Sequence, residues 1–222
     1  MKFLKDLENI YNNIGYCVEQ YPFFTIVDRA RWSVMEMRDK IIITFTQELL
    51  DEWTDIYMKK HPRTKKKPIA KPIHESLNVW TIMRRPMANA LKQKWKEFVQ
   101  FCVDYYGLND LGISKCKCKY IAYKGYVKSK RRSDIDNLTP KFILDGLTAE
   151  CSGVLVDDSC DCIEEMTIKI IQEQGIEDYS EIIFYDCEYN VELMLKTREI
   201  EINKTLKKEI TKEENKKKSK SR

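Results

Sequence analysis

The sequence predicts an α+β domain in which a mixed or antiparallel β-sheet packs against helices, and three stretches carry that expectation. Ile41-Ile42-Ile43-Thr44-Phe45 is β-branched and aromatic, the composition of a strand. From Cys116 to Tyr123 the chain begins by alternating, with Lys115, Lys117 and Lys119 on one face and Cys116, Cys118 and Tyr120 on the other. Between Pro86 and Tyr106, Leu91, Trp95, Phe98, Val99 and Cys102 recur at steps of three and four, which marks the longest helix.

The remaining elements follow in order. Leu4, Leu7, Ile10, Tyr11 and Ile14 stand at helical spacing, and Phe23 to Val27 reads as a strand. Residues 41–45 are expected to be the first strand of the core sheet, and 46–60 a helix capped by Thr46 or Thr44. His61 to Pro72 holds Pro62, Pro68 and Pro72 among basic residues, so it cannot be regular throughout and is expected to be an exposed loop. Arg84 and Arg85 stand where the long helix starts. Thr139-Pro140 opens another helix, with threonine at the cap and proline where the first turn tolerates it, and Phe142, Ile143 and Leu147 form its apolar stripe. Val154-Leu155-Val156 reads as a short strand; Glu164 to Ile171 and Glu181 to Cys187 finish the sheet. The division expected is an N-terminal extension over 1–40, a single domain over 41–195 and a flexible lysine-rich tail over 196–222.

Composition bounds the function. With 222 residues, 43% of them hydrophobic, the chain can bury a real core. No apolar run approaches the roughly 18 residues of a membrane span, and Met1 to Asp6 lacks a signal-peptide core, so a soluble, cytoplasmic protein without a membrane partner is expected. The net charge of +4 is unevenly spread. Residues 196–222 carry 11 Lys and Arg against 5 Glu, which leaves 28 of the 39 basic and 30 of the 35 acidic groups for the first 195 residues. Within that near-neutral body, positive charge is clustered at Lys59 to Lys67, at Arg84-Arg85 and from Lys124 to Arg132. Such clusters suit phosphates and make binding fall with salt; singly, each reads equally well as a solvated surface.

Directly behind the last basic run lies Asp134-Ile135-Asp136-Asn137-Leu138-Thr139-Pro140-Lys141, followed by Asp145-Gly146-Leu147 and Val156-Asp157-Asp158. In an extended segment Asp134 and Asp136 would share one side while Ile135 points into a core. Two adjacent carboxylates favour a cation between them, and an oxygen-only set favours Mg²⁺ or Mn²⁺ over zinc. The two histidines, His61 and His74, are far away in sequence. Lys141 in a first helical turn is mildly opposed by the helix dipole, so a phosphate would explain it better than the helix does. The competing reading is a surface pair with Asp145, four residues on.

In that order these residues resemble the signature of the RusA family of Holliday junction resolvases, small dimeric endonucleases of bacteria and their phages. The resemblance covers roughly residues 40–195. It implies that Asp134, Asp136 and Asp158 hold Mg²⁺, with Mn²⁺ as a substitute and Asp157 as the alternative to Asp158, and that Lys141 is the catalytic lysine. Lys141 stands five residues after Asp136, one more than the family pattern, whereas its step of four to Asp145 is kept. The implied function is resolution of four-way DNA junctions by paired phosphodiester hydrolysis in recombination and repair, carried out by a homodimer in a bacterial or phage-infected cell. DNA contacts are expected from Lys65, Lys66, Lys67, Lys128, Lys130, Arg131 and Arg132. The alternatives are a nuclease of the same fold on other branched or replicating DNA, and a non-catalytic DNA-binding accessory.

Eight cysteines raise a separate possibility. Cys116-x-Cys118 and Cys160-x-Cys162, with Cys151 nearby, could supply thiolates to a structural zinc. Structural zinc usually needs two residues between paired cysteines, so buried free thiols are the default expectation.

Overall fold

A computed structural model describes residues 40–73, 76–128, 133–200 and 202–204. The helix expected over 3–14, the strand at 23–27, Lys130, Arg131, Arg132 and the tail beyond 204 lie outside the described residues.

Strand β1 (Lys40–Phe45) buries Ile41, Ile43 and Phe45 and leaves the alternate positions partly open. Thr46 stops it and starts helix α1 (Gln47–Lys60), its hydroxyl oxygen accepting from the Leu49 amide at 3.2 Å. The 61–73 segment is irregular, as expected, but not exposed throughout: Pro68, Ile69, Pro72 and Ile73 are buried. A short helix, α2 (Leu77–Ile82), follows where no element is expected from the sequence; Ser76 caps it by accepting from the Val79 amide. Six residues show too little periodicity to be recognised from sequence.

The long helix is α3 (Arg85–Tyr106), with proline in its first turn. Its buried face is Ala88, Trp95, Phe98, Val99, Cys102 and Val103. Phe98 centres an aromatic cluster, with ring centroids 5.5 Å from Trp53, 5.9 Å from Trp95 and 6.0 Å from Phe45. That face meets β1 and shares one hydrophobic core with β2 (Ile113–Tyr126), where Cys116, Cys118, Tyr120 and Ala122 are fully buried. The alternation placed those residues on one face correctly, but the strand is longer than the eight residues that alternation marks.

Strands β3 (Ile163–Gln174) and β4 (Tyr179–Tyr189) complete a mixed four-stranded sheet in the order β1-β4-β2-β3. β4 is antiparallel to both β1 and β2, whereas β2 and β3 run parallel. The parallel pair needs a crossover, supplied by residues 127–162 with helix α4 (Lys141–Leu147) on the helical face of the sheet. The segment 154–156 is shorter than expected: only Leu155 bridges, to Ile113.

Helix α4 is buried from Phe142 to Leu147. It approaches α3 so closely that a Cβ on Gly146 would lie 2.7 Å from the Val99 Cβ. Trp80 of α2 meets Phe142 edge-on at 5.7 Å, so α2 flanks the start of α4.

A last helix, α5, spans 191–200 and crosses the boundary expected at 195. Arg198 fastens it to the body, donating to the Ala149 carbonyl at 2.8 Å and pairing with Asp110 at 2.6 Å. Among the described residues, no helix is long and apolar enough to cross a membrane.

Gly146→Ala therefore overpacks the α3–α4 contact. It is expected to lower the free energy of unfolding in urea by about 1–3 kcal/mol, and adding Val99→Ala should cost less in that background than in the wild-type chain.

Candidate functional site

The end of the sheet where β2 finishes collects three chain segments. Asp178, just before β4, accepts from the Gly125 amide at 2.9 Å and from Lys71 at 2.6 Å. Ser180 donates to the Pro72 carbonyl at 2.7 Å. These bonds anchor the far end of the basic 61–73 loop beside the last turn of β2. Gly125 is required there, because a Cβ would collide with the Ile176 carbonyl oxygen.

The acidic segment leaves from the same end. Lys124 and Gln172 lie side by side in the β2–β3 register, and both reach the Ser133 hydroxyl, at 3.5 and 3.2 Å. Asp134 is extended, and Ile135–Asn137 forms a 3₁₀ turn closed by the Asn137 amide on the Asp134 carbonyl at 3.3 Å. This corrects the expectation of an extended Asp-x-Asp. At three residues per turn, neighbours two apart diverge around the turn instead of sharing a side. Ile135 is 53% exposed and Leu138, at 5%, takes the core position. Asp134 and Asp136 are both exposed.

Lys141 opens α4 and is exposed; its amide is capped by the Thr139 hydroxyl at 3.3 Å, so threonine caps the helix one residue earlier than the strict N-cap site. Its ammonium lies 3.9 Å from Asp145. The other Asp145 oxygen is 3.0 Å from Lys92 of α3, but off the direction of a good hydrogen bond, so that oxygen has an ionic partner without an aligned donor. Asp145 is thus an α3–α4 tether.

Asp157 and Asp158 are exposed in the turn before β3. The Val156 amide is held by the Ile113 carbonyl at 2.8 Å, and the Cys116 amide by the Cys162 carbonyl at 2.8 Å, which fixes this turn at the start of β2. Ser133 is held beside Lys124, roughly 25 Å further along the same strand. The structure brings Asp134 and Asp136 into one turn and Asp157 and Asp158 into another, but it does not gather the sets. Among the described residues, no group of three or more His, Cys, Asp or Glu side chains is arranged to hold a metal ion. Asp134, Asp136 and Asp158 are not assembled into such a group in this structure.

Of the expected DNA contacts, Lys65, Lys66 and Lys128 are exposed and form no ion pair with another described residue. Lys67 is engaged: it pairs with Asp51 at 2.8 Å, and its hydrogen bond, with a second from Gln47, holds the Asp51 carboxyl below its usual range.

Sequence reasoning missed Lys96, which lines a cleft of about 520 Å³ with Trp53, Tyr57, Phe101, Glu150 and Cys151. Burial alone would push its ammonium down, but Cys151, Glu150 (3.2 Å away) and Asp145 outweigh that and raise it. Only the fold reveals the group, since these residues lie on α1, on α3 and in the 145–151 segment.

The cysteines behave as core thiols. Cys102, Cys116, Cys118, Cys162 and Cys187 are buried and free. Burial pushes the Cys118 and Cys187 thiols up to about 12; Cys116 is raised by its hydrogen bond with Cys162 and by burial. Cys160 is exposed, so the two C-x-C pairs do not present four equivalent ligands.

No protein-family model matches this chain, and no curated protein matches it in sequence.

Among the seven described cysteines, iodoacetamide at pH 8 is expected to modify Cys160 first and to leave Cys118 and Cys187 unmodified in the folded chain. Peptide mass spectrometry reads the order, and Cys160→Ser should remove the fast-reacting site.

Proposed function

We propose that this chain is a Mg²⁺-dependent, structure-selective endodeoxyribonuclease that resolves four-way DNA junctions as a homodimer, in the manner of the RusA family its motif resembles. The observation that carries the reading is one of placement. The exposed Asp134–Asn137 turn, which follows Ser133, and the anchored end of the basic loop both belong to the region of the sheet where β2 ends. A phosphate backbone tracking along Lys65 and Lys66 would be brought toward carboxylates that are not neutralised by described cations.

The chemistry assigned to the chain's own groups is limited to that geometry. Lys65, Lys66 and Lys128 supply backbone charge, which positions DNA without reading sequence. Lys141, loosely paired and exposed, is placed to offset negative charge on a phosphate. The divalent metal enters as a requirement to be measured, with no step routed through it.

A second reading has its own support. The separation of Asp134 and Asp136 from Asp158 favours a non-catalytic DNA-binding accessory, in which the acidic turns merely cap elements. Incubating four-way, flap and linear duplex DNA with and without MgCl₂ distinguishes the two. Paired nicking of the four-way junction is expected only with the metal, and equal cutting of flaps would move the reading to another branched substrate. Asp136→Asn should lower cleavage on the order of 100-fold, equivalent to about 2.7 kcal/mol, while junction binding is preserved. Unchanged cleavage in that variant would sink the nuclease reading, and binding without cutting in the wild type would leave the accessory.

Lys65→Ala with Lys66→Ala should weaken binding to every DNA form alike. The slope of log affinity against log salt should fall by about 2 in magnitude, measured by fluorescence anisotropy.

A further inference from the structure

The outer edge of β3 is long, open and self-complementary. β3 ends the sheet, with β2 as its one ladder partner, and its 12 residues are twice the length of β1 at the opposite edge. Among the described residues, no backbone hydrogen bond outside the sheet ladder engages Glu164 to Ile171. An edge of this kind offers a row of donors and acceptors to another strand.

Its side chains alternate in a way that selects a partner. The register with β2 puts Met166, Ile168 and Ile170 on the helical face, where Ile168 and Ile170 pack on the core, and Glu165, Thr167, Lys169 and Ile171 on the opposite face. Met166 is 39% exposed, and Glu165, Thr167 and Lys169 are exposed.

Consider two copies of β3 paired antiparallel about a twofold axis. Centred on Thr167, the pairing sets Glu165 opposite Lys169 of the second copy, twice over, Thr167 opposite itself, and Met166 opposite Ile168. Every one of these cross-strand pairs is favourable. Centred on Ile168, the charges face Ile171 and Thr167; centred on Lys169, two ammonium groups meet.

We propose that a second copy of this chain pairs along β3, antiparallel and centred on Thr167, to give one continuous eight-stranded sheet. Charge complementarity selects the occupant: the same strand supplies both the acid and the base that the edge needs. With the axis perpendicular to the sheet, both helical layers fall on the same side. The Asp134–Asn137 turns, which approach β3 on that face beside Gln172, then lie on one surface, each roughly 17 Å along the strand from the axis. This deepens the homodimer reading above and rests on the nuclease proposal only for its use.

The test is sedimentation of the full chain without DNA, so its failure is separable from any failure to cut junctions. The wild type should sediment as a dimer. Glu165→Lys alone sets lysine against lysine, and Lys169→Glu alone sets glutamate against glutamate, so each should raise the dimer dissociation constant about 10-fold or more. Mixing the two single variants puts lysine opposite glutamate at both places and should restore a dimer, as should Glu165→Lys with Lys169→Glu in one chain. Glu165 also lies near Lys117 within its own chain, and thermal melting of each variant checks that the fold survives. A monomeric wild type, single reversals that dimerise as the wild type does, or a mixture of the two that stays monomeric would each overturn the proposal.

Discussion

The β2 ladder is the constraint on which the rest of the structure depends. It is bonded on one side to β3 and on the other to β4, and its buried face belongs to the core that α3 also enters. Burying Cys116, Cys118, Tyr120 and Ala122 completely leaves no freedom to slip by one residue, because a slip would turn Lys115, Lys117 and Lys119 into the core. The fixed register has a functional consequence. A strand of this length separates the turn before β3 from the segment that follows β2, and the crossover must travel back along the sheet before α4 can start. Ser133, just before Asp134, and Val156, just before Asp157-Asp158, are therefore anchored toward opposite ends of the same ladder that holds the fold together.

Much of this architecture could be read from the chain. The period of α3, the Thr46 cap and the alternation of β2 are local signals, and they agree with the tertiary packing. What escaped was decided by context. Ile135 between two aspartates reads as a strand residue, yet Leu138 takes the buried position and the chain tightens into a 3₁₀ turn instead. Helix α2 is too short to show a period, and only its Ser76 cap marks it. Residues 196–200 look like part of a lysine-rich tail, but Arg198 has a carboxylate and two backbone carbonyls waiting on the body. No local pattern announces such a tether.

The aspartate, glycine and leucine at 145–147 show how a motif can contain more than one kind of constraint. Gly146 is present because α3 passes at Val99, where a larger residue would collide. Leu147 is fully buried, and Asp145 reaches Lys92 across the same contact. These three residues hold α4 in place, and the position of Lys141 follows from it. Spacing from Lys141 to Asp145 is therefore as much a packing requirement as a chemical one, which is why the sequence pattern alone cannot divide the motif into structural and reactive parts.

The energetics of Lys141 decide which role its charge can take. Asp145 is shared between two ammonium groups, and Lys92 is the closer, at 3.0 Å against 3.9 Å. A loose pair four residues apart with a half-exposed lysine contributes only about 0.3–0.5 kcal/mol, and salt screens it. Its position in the first turn adds a mild penalty from the helix dipole, because the amides there favour an anion. Both effects point the same way. Release of the Lys141 ammonium from Asp145 therefore costs little, and Lys92 keeps the carboxylate compensated. The lysine is held at the start of its helix without being bound tightly to it.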